Sequence, residues 1–148
     1  MIKALGLDVG DTKIGVAVSD GLGYTAQGVT TFERSSLQRD LGTIQQLIHK
    51  NDVSEVVIGL PLHMDGQYSL QTRKVMAFCQ YLARHLRVPV RTWDERLTTV
   101  QAMKILKTGR VRRKKRAFLV DKVAAVIILQ GYLDRKNTMR ETAVAMSG

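Results

Sequence analysis

Aromatic residues are scarce in this 148-residue chain, at 5%: three Phe, four Tyr and one Trp. So sparse a set limits readout of unpaired bases, which depends on aromatic platforms for stacking. The single cysteine, Cys79, excludes an internal disulfide and fits a reducing compartment. No apolar run approaches the ~18 residues that a membrane span needs. The opening "MIKALGLDVG" has neither the apolar block nor the small-residue cleavage site of a signal peptide, so a cytoplasmic protein is expected. The three histidines, His49, His63 and His85, are scattered and match no zinc-site spacing. Acidic residues are also few, 13 against 23 Lys and Arg, leaving a net charge of +10. Such an excess suits a polyanionic partner, most often nucleic acid, and says nothing about fold. With 45% hydrophobic residues, a chain of one-domain length can build a core.

What is present reads as alternating elements. "IKALGLDV" is a buried strand bounded by Gly10. "IGVAVSD" is a second strand, and the short "GDTK" between them makes a hairpin. "QGVTTFE" is a third strand. Ser35 or Ser36 then caps a helix with the apolar stripe Leu37, Leu41, Ile44, Leu47 and Ile48. "EVVIGL" has the continuous β-branched character of a parallel strand covered on both faces. A loop "PLHMDGQYS" leads to a helix carrying Val75, Phe78, Cys79, Leu82 and Leu86. "VPVRTW" is a fifth strand, stopping at "DER". Thr98 and Gln101 form a capping box for a third helix. A basic segment precedes a last helix, roughly Leu119 to Asp134. The order predicts an α/β domain: a mixed five-stranded sheet whose first three strands form an antiparallel meander, with helices on both faces. One domain is expected over 1–136, with 137–148 a flexible tail.

Carboxylates fall where such sheets place sites, at strand ends beside the switch in strand order. Asp8 lies in the first strand, expected at the centre. Asp94 and Glu95 end the fifth strand. Asp121 opens the last helix and shares one face with Ala124, Ala125, Ile128 and Tyr132. Taken singly, each has a plainer reading: a backbone partner, a loop charge, a helix-start charge. Together they can converge. A cluster of like charges raises a carboxyl pKa unless a cation neutralises it. Hard divalent cations take oxygen ligands, and two such ions about 3.5–4 Å apart promote phosphodiester hydrolysis without a histidine or cysteine nucleophile. Asp11, Asp20 and Asp65 read as turn residues, Cys79 as core, and Trp93 as core or site wall.

Nine Lys or Arg lie between Lys104 and Lys122 against one acid, and six of them crowd into "RVRRKKR". As a solvated loop this run is unremarkable in function; beside Asp121 it suits a phosphate backbone. Arg110, Arg112, Arg113, Lys114, Lys115 and Arg116 are therefore candidate nucleic-acid contacts, with Lys13 on the hairpin and Arg96 in "DER".

The segments "GLDVGDTKIGVAVSD", "VVIGLPLHMDG", "DERLTT" and "VDKVAAVIILQGYLD" together resemble the YqgF (RuvX) family, whose members are described as pre-16S rRNA nucleases or Holliday junction resolvases. The motifs run in family order from residue 6 to about 134. The resemblance implies an RNase H-like fold and a metal-dependent nuclease site made by Asp8, Glu95 and Asp121, with Asp94 as neighbour and Mg²⁺ or Mn²⁺ as cofactor. It departs at Thr12-Lys13, where Lys-Arg is common, and at His63, where Asn is more usual. It implies hydrolysis at the 5′ end of pre-16S rRNA, with branched-DNA resolution in recombination or repair as the alternative, by a monomer or homodimer, with the ribosome a further partner. Two other readings stay open. "DVGDTKIGVAV" also resembles the phosphate loop of sugar kinases and actin-like ATPases, although one domain's length holds only half such a site. A non-catalytic RNA- or ribosome-binding module that retains the fold is the other.

Overall fold

β1 (Ala4–Val9) sits in the middle of a five-stranded sheet because it pairs on both edges. Beside it run β2 (Lys13–Ser19) and β3 (Ala26–Glu33), antiparallel, and on the other side β4 (Glu55–Leu60) and β5 (Val90–Asp94), parallel, giving the order β3-β2-β1-β4-β5. The computed structural model describes the backbone of residues 3–97 and 113–147, and side-chain surroundings for 3–96 and 123–143. The expected meander followed by parallel crossovers is what forms.

Strand alternation sends the two side-chain sets of β1 to different layers. Leu5, Leu7 and Val9 join Ile14, Val16, Val56, Ile58 and Leu60 in a core with residues of α1 (Leu37–Lys50) and α2 (Leu70–His85). Ala4, Ala17 and Val57 meet Ala125, Ile128, Leu129 and Leu133 of α3 (Arg113–Ser147) on the opposite face. The α3 face is lined by small side chains, so that helix lies close. A Cβ placed on Gly6 would stand 2.7 Å from Leu129 Cβ and 3.2 Å from the Ala125 carbonyl oxygen, which only a bare Cα permits.

The helix starts follow their sequence signals. Ser36 caps α1, its hydroxyl accepting from the Arg39 amide. Ser69 and Thr72 form a reciprocal capping box on α2. α3 departs from expectation: it begins at Arg113 and continues to Ser147, across the stretch expected as a tail. No Pro or Gly follows Gly131 until Gly148, so nothing in the local chemistry stops it. Side chains also tie it down: Gln130 accepts from the Ala26 amide and donates to the Tyr24 carbonyl, and Asn137 donates to the Gly23 carbonyl. The capping box at Thr98 and Gln101, with the helix expected after it, lies outside the described residues. Among the described residues, no helix is long and apolar enough to cross a membrane.

One buttress was not expected. Arg34, just after β3, donates to the Gly10 carbonyl at 3.0 Å, pairs with the buried Asp40 at 3.4 Å and covers the Phe78 ring at 4.7 Å. It thereby fastens the β1–β2 hairpin, next to Asp8, to α1 and α2.

Candidate active site

Asp8 is the penultimate residue of β1 and lies on the face covered by α3. Across the sheet its register partner is Gly15, whose own partner on β3 is Thr31. On the other side the pair Leu7↔Ile58 precedes the level of Asp8, and the next residue of β4, Gly59, faces Trp93 of β5. Asp8 is thus flanked on both sides by glycine, and the sheet surface beside its carboxylate carries no bulk.

Glu95 begins a single 3₁₀ turn (Glu95–Leu97) where β5 ends. Its side chain folds back over Gly59: a Cβ there would lie 2.6 Å from Glu95 Oε1 and 2.5 Å from Ile128 Cδ1. That path brings Glu95 into a side-chain hydrogen bond with Asp8. Burial pushes the Glu95 carboxyl above its ordinary range, the hydrogen bond with Asp8 opposes this, and the nearby Asp94 charge adds to the rise. Two carboxyl groups in such contact need a proton or a cation between them, and an all-oxygen donor pair suits a hard divalent cation. Among the described residues, no group of three or more metal-ligating side chains collects. The backbone of Asp121 lies on α3, one turn before Ala125, and its side chain lies outside the described residues.

Asp94, expected beside Glu95 as a further ligand, is placed differently. Its register partner Leu60 belongs to the core on the other face of the sheet. Its carboxylate takes Arg96 Nη2 at 2.6 Å and Nε at 2.9 Å, and this pairing holds its pKa below the usual carboxylate range. Arg96, expected to meet nucleic acid, spends its guanidinium on that pair and on the Met64 carbonyl at 3.2 Å. It clamps the loop after β4, whose ends bridge at Leu62 and Tyr68 and whose tip turns at Gly66 with φ +85°. The loop runs on from β4 just past Gly59, and Arg96 is its fastener.

Lys13 starts β2 opposite Glu33 and lines an open cavity of about 620 Å³ with Asp11, Arg34 and Asp40. Arg110 and Arg112 lie outside the described residues. Arg113, Lys114, Lys115 and Arg116 are described only as backbone of the first turn of α3.

Sequence reasoning passed over a buried ion cluster at the far end of the same face. Glu55 is 4% exposed and accepts from Lys136 Nζ at 2.9 Å, the Tyr132 hydroxyl at 3.0 Å and Arg91 Nε at 3.2 Å. Burial opposes its ionisation, and these donors outweigh it, so its pKa falls below the ordinary value. The available signals were an acid heading the apolar run of β4 and the i, i+4 spacing of Tyr132 and Lys136.

Relatives of the chain are known. The family model "RuvX: Holliday junction resolvase" matches residues 2–135. A Clostridium acetobutylicum protein named "Putative pre-16S rRNA nuclease" is 47% identical over 133 residues, covering 90% of this chain and 98% of its own. One of the same name from Clostridium tetani is 50% identical over 133 residues, covering 90% and 96%. Among solved structures, Thermus thermophilus RuvC in complex with a Holliday junction substrate aligns over 93% of this chain and 98% of its own, with TM-score 0.54 and 14% identity. Fowlpox virus resolvase with Holliday junction DNA aligns over 90% and 98%, with TM-score 0.55 and 9% identity. At those identities the likeness is one of fold. The chain belongs to the RuvX family, and as a member it is a nuclease of RNase H-like fold, a hydrolase of phosphodiester bonds.

Proposed function

We propose that the chain is a divalent-metal-dependent nuclease that trims the 5′ end of pre-16S rRNA, with Asp8, Glu95 and Asp121 as its catalytic carboxylates. The observation that carries the reading is the Asp8–Glu95 hydrogen bond laid over Gly59. It joins an acid of β1 to one from the turn after β5, over a part of the sheet flanked by glycines. Asp121 enters by its place on α3, a turn before the residue that packs on Gly6. Held by these carboxylates, Mg²⁺ or Mn²⁺ would supply Lewis-acid stabilisation of the negative charge on the phosphoryl and leaving oxygens. The chain's own residues hold the geometry: β1 fixes Asp8, the 3₁₀ turn aims Glu95, and the Arg96 clamp keeps the bordering loop in place.

The RNA substrate is supported by the name shared by the relatives at about half identity. Branched DNA is the second reading, supported by the family's description. Symmetric cutting of a junction would require two copies related by a two-fold axis, whereas trimming one RNA end requires one. Pre-rRNA as substrate would place the protein in the cytoplasm with the assembling ribosome.

The test is cleavage of a labelled pre-16S 5′-leader RNA and a four-way DNA junction, each with Mg²⁺, Mn²⁺ or chelator, by wild type and Asp8→Asn. Metal-dependent cutting that Asp8→Asn loses supports the site, and the substrate that is cut names the role. Salt-sensitive binding of either substrate with no cutting under any condition would refute catalysis in favour of a binding module.

A further inference from the structure

β5 carries this face back from Glu95, which lies just past the strand's end at Asp94. Along it, Arg91 and Trp93 stand at alternate positions and face Val57 and Gly59 on the α3 side. Glu95 folds back over Gly59, the residue that pairs with Trp93, so Trp93 and Glu95 approach the same glycine. Beyond Trp93 opens a cavity of about 410 Å³ whose walls include Arg91, Trp93, Tyr132, Arg135, Lys136 and Met139.

The cavity combines positive charge with an apolar wall. Three cations line it, and the carboxylate that would neutralise two of them, Glu55, is buried behind. Glu55 holds Lys136 and Arg91 in place through one bond each, leaving the remaining Arg91 guanidinium nitrogens toward solvent, where that side chain is 55% exposed. Arg135 is exposed, and among the described residues no ion pair occupies it. Arg140 follows one helical turn after Lys136. The chain's only tryptophan forms part of the wall, seated on Gly131, where a Cβ would meet the indole at 3.0 Å. Its Nε1 is buried and has no hydrogen-bond partner among the described residues. Met139, 64% exposed, supplies a soft apolar rim.

We infer that this cavity is a subsite for an unpaired nucleotide flanking the scissile phosphate, its base against Trp93 and Met139 and its phosphates on Arg91, Arg135 and Lys136. The inference rests on the proposed catalytic role of Glu95 for its register along the strand. The combination of apolar wall and clustered cations is what single-stranded nucleic acid requires: a face for the base and charges that follow the backbone. A continuous duplex would not present a free base to it. The substrate thus crosses the site along β5, entering or leaving over the Glu55 cluster.

The single tryptophan makes this measurable. The full-length protein, held in chelator so that nothing is cut, is titrated with a short unpaired oligoribonucleotide while Trp93 emission is read. A parallel titration follows fluorescence anisotropy of the same oligonucleotide carrying a dye. Arg135→Glu, at an exposed helix position, is compared with wild type. The expected result is saturable change of Trp93 emission over the concentration range in which anisotropy rises. Arg135→Glu should weaken binding several-fold and lower the slope of log K against log salt by about 0.7, the value for one phosphate contact on a single strand. Anisotropy that rises with no change at Trp93 and no effect of Arg135→Glu would overturn the subsite and leave the nuclease reading intact. Emission change that is retained while wild type cuts neither substrate with Mg²⁺ or Mn²⁺ would support the subsite and refute the nuclease reading alone.

Discussion

Gly59→Ala tests the geometry of the site most directly. The added Cβ would stand 2.5 Å from Ile128 Cδ1, 2.6 Å from Glu95 Oε1 and 3.0 Å from Glu95 Cγ. Ordinary carbon contacts lie near 3.5–4.0 Å, so both neighbours must retreat by about 1 Å. Ile128 is 1% exposed, so its Cδ1 must shift within the packed α3 face. Overpacking of this kind costs about 1–3 kcal/mol, offset by about 0.5–1 kcal/mol from replacing glycine in a strand. The net loss of about 1–2 kcal/mol corresponds to a fall in Tm of roughly 2–8 °C in a domain of this size. Glu95 can retreat more easily, and retreat takes it off Asp8, so cleavage should fall much further than stability. Calorimetry and single-turnover cleavage under matched conditions separate the two effects. The double variant Gly59→Ala/Ile128→Val removes the Cδ1 contact but not the Glu95 contact. It should regain part of the lost Tm while remaining inactive. A single variant with wild-type Tm and wild-type cleavage would refute the close packing over Gly59. Activity that returns together with Tm in the double variant would show that α3, not Glu95, was what the methyl displaced.

Three further outcomes follow from other parts of the molecule. Glu55 has a lowered pKa, so its contribution to stability is complete above the unfolded value near 4.5 and is lost as pH falls through the lower folded value; denaturant titrations from pH 7 to pH 3 should show that loss in wild type and a flatter profile in Glu55→Gln. Arg96→Ala removes the bonds to Asp94 and the Met64 carbonyl; chymotrypsin should then cut at Tyr68 faster than in wild type, and an unchanged cutting rate would show that Arg96 does not fasten the loop. Cys79 is buried and its thiol is pushed up to about 11 by that burial; at pH 8 a thiol-reactive dye should label it only as fast as the protein unfolds, and rapid labelling of the native chain would contradict its place in the core.

Local pattern determined the strands and the first two helices, because each is a run of side chains that must face one way or two. β1 and β4 read as doubly buried and are, and Ser36 and Ser69 start helices where short polar side chains can satisfy free amides. Asp8 could be singled out because a charge within an apolar run, hemmed by glycines, conflicts with its neighbours unless something compensates it. Spacing and composition left Asp94 and Glu95 equivalent, adjacent acids with the same chemistry, and only the family resemblance singled out Glu95. The sheet decides, by turning Asp94 to Arg96 and laying Glu95 over Gly59 toward Asp8. Nor could the sequence announce Arg34 and Asp40 as the buttress of the hairpin, or the bonding of Lys136 to Glu55 across 81 residues of chain. Periodicity registers which face a residue takes within its own element. Which distant residue waits on that face depends on how strands order and how closely a helix can lie on glycine, and that is decided only when the chain packs.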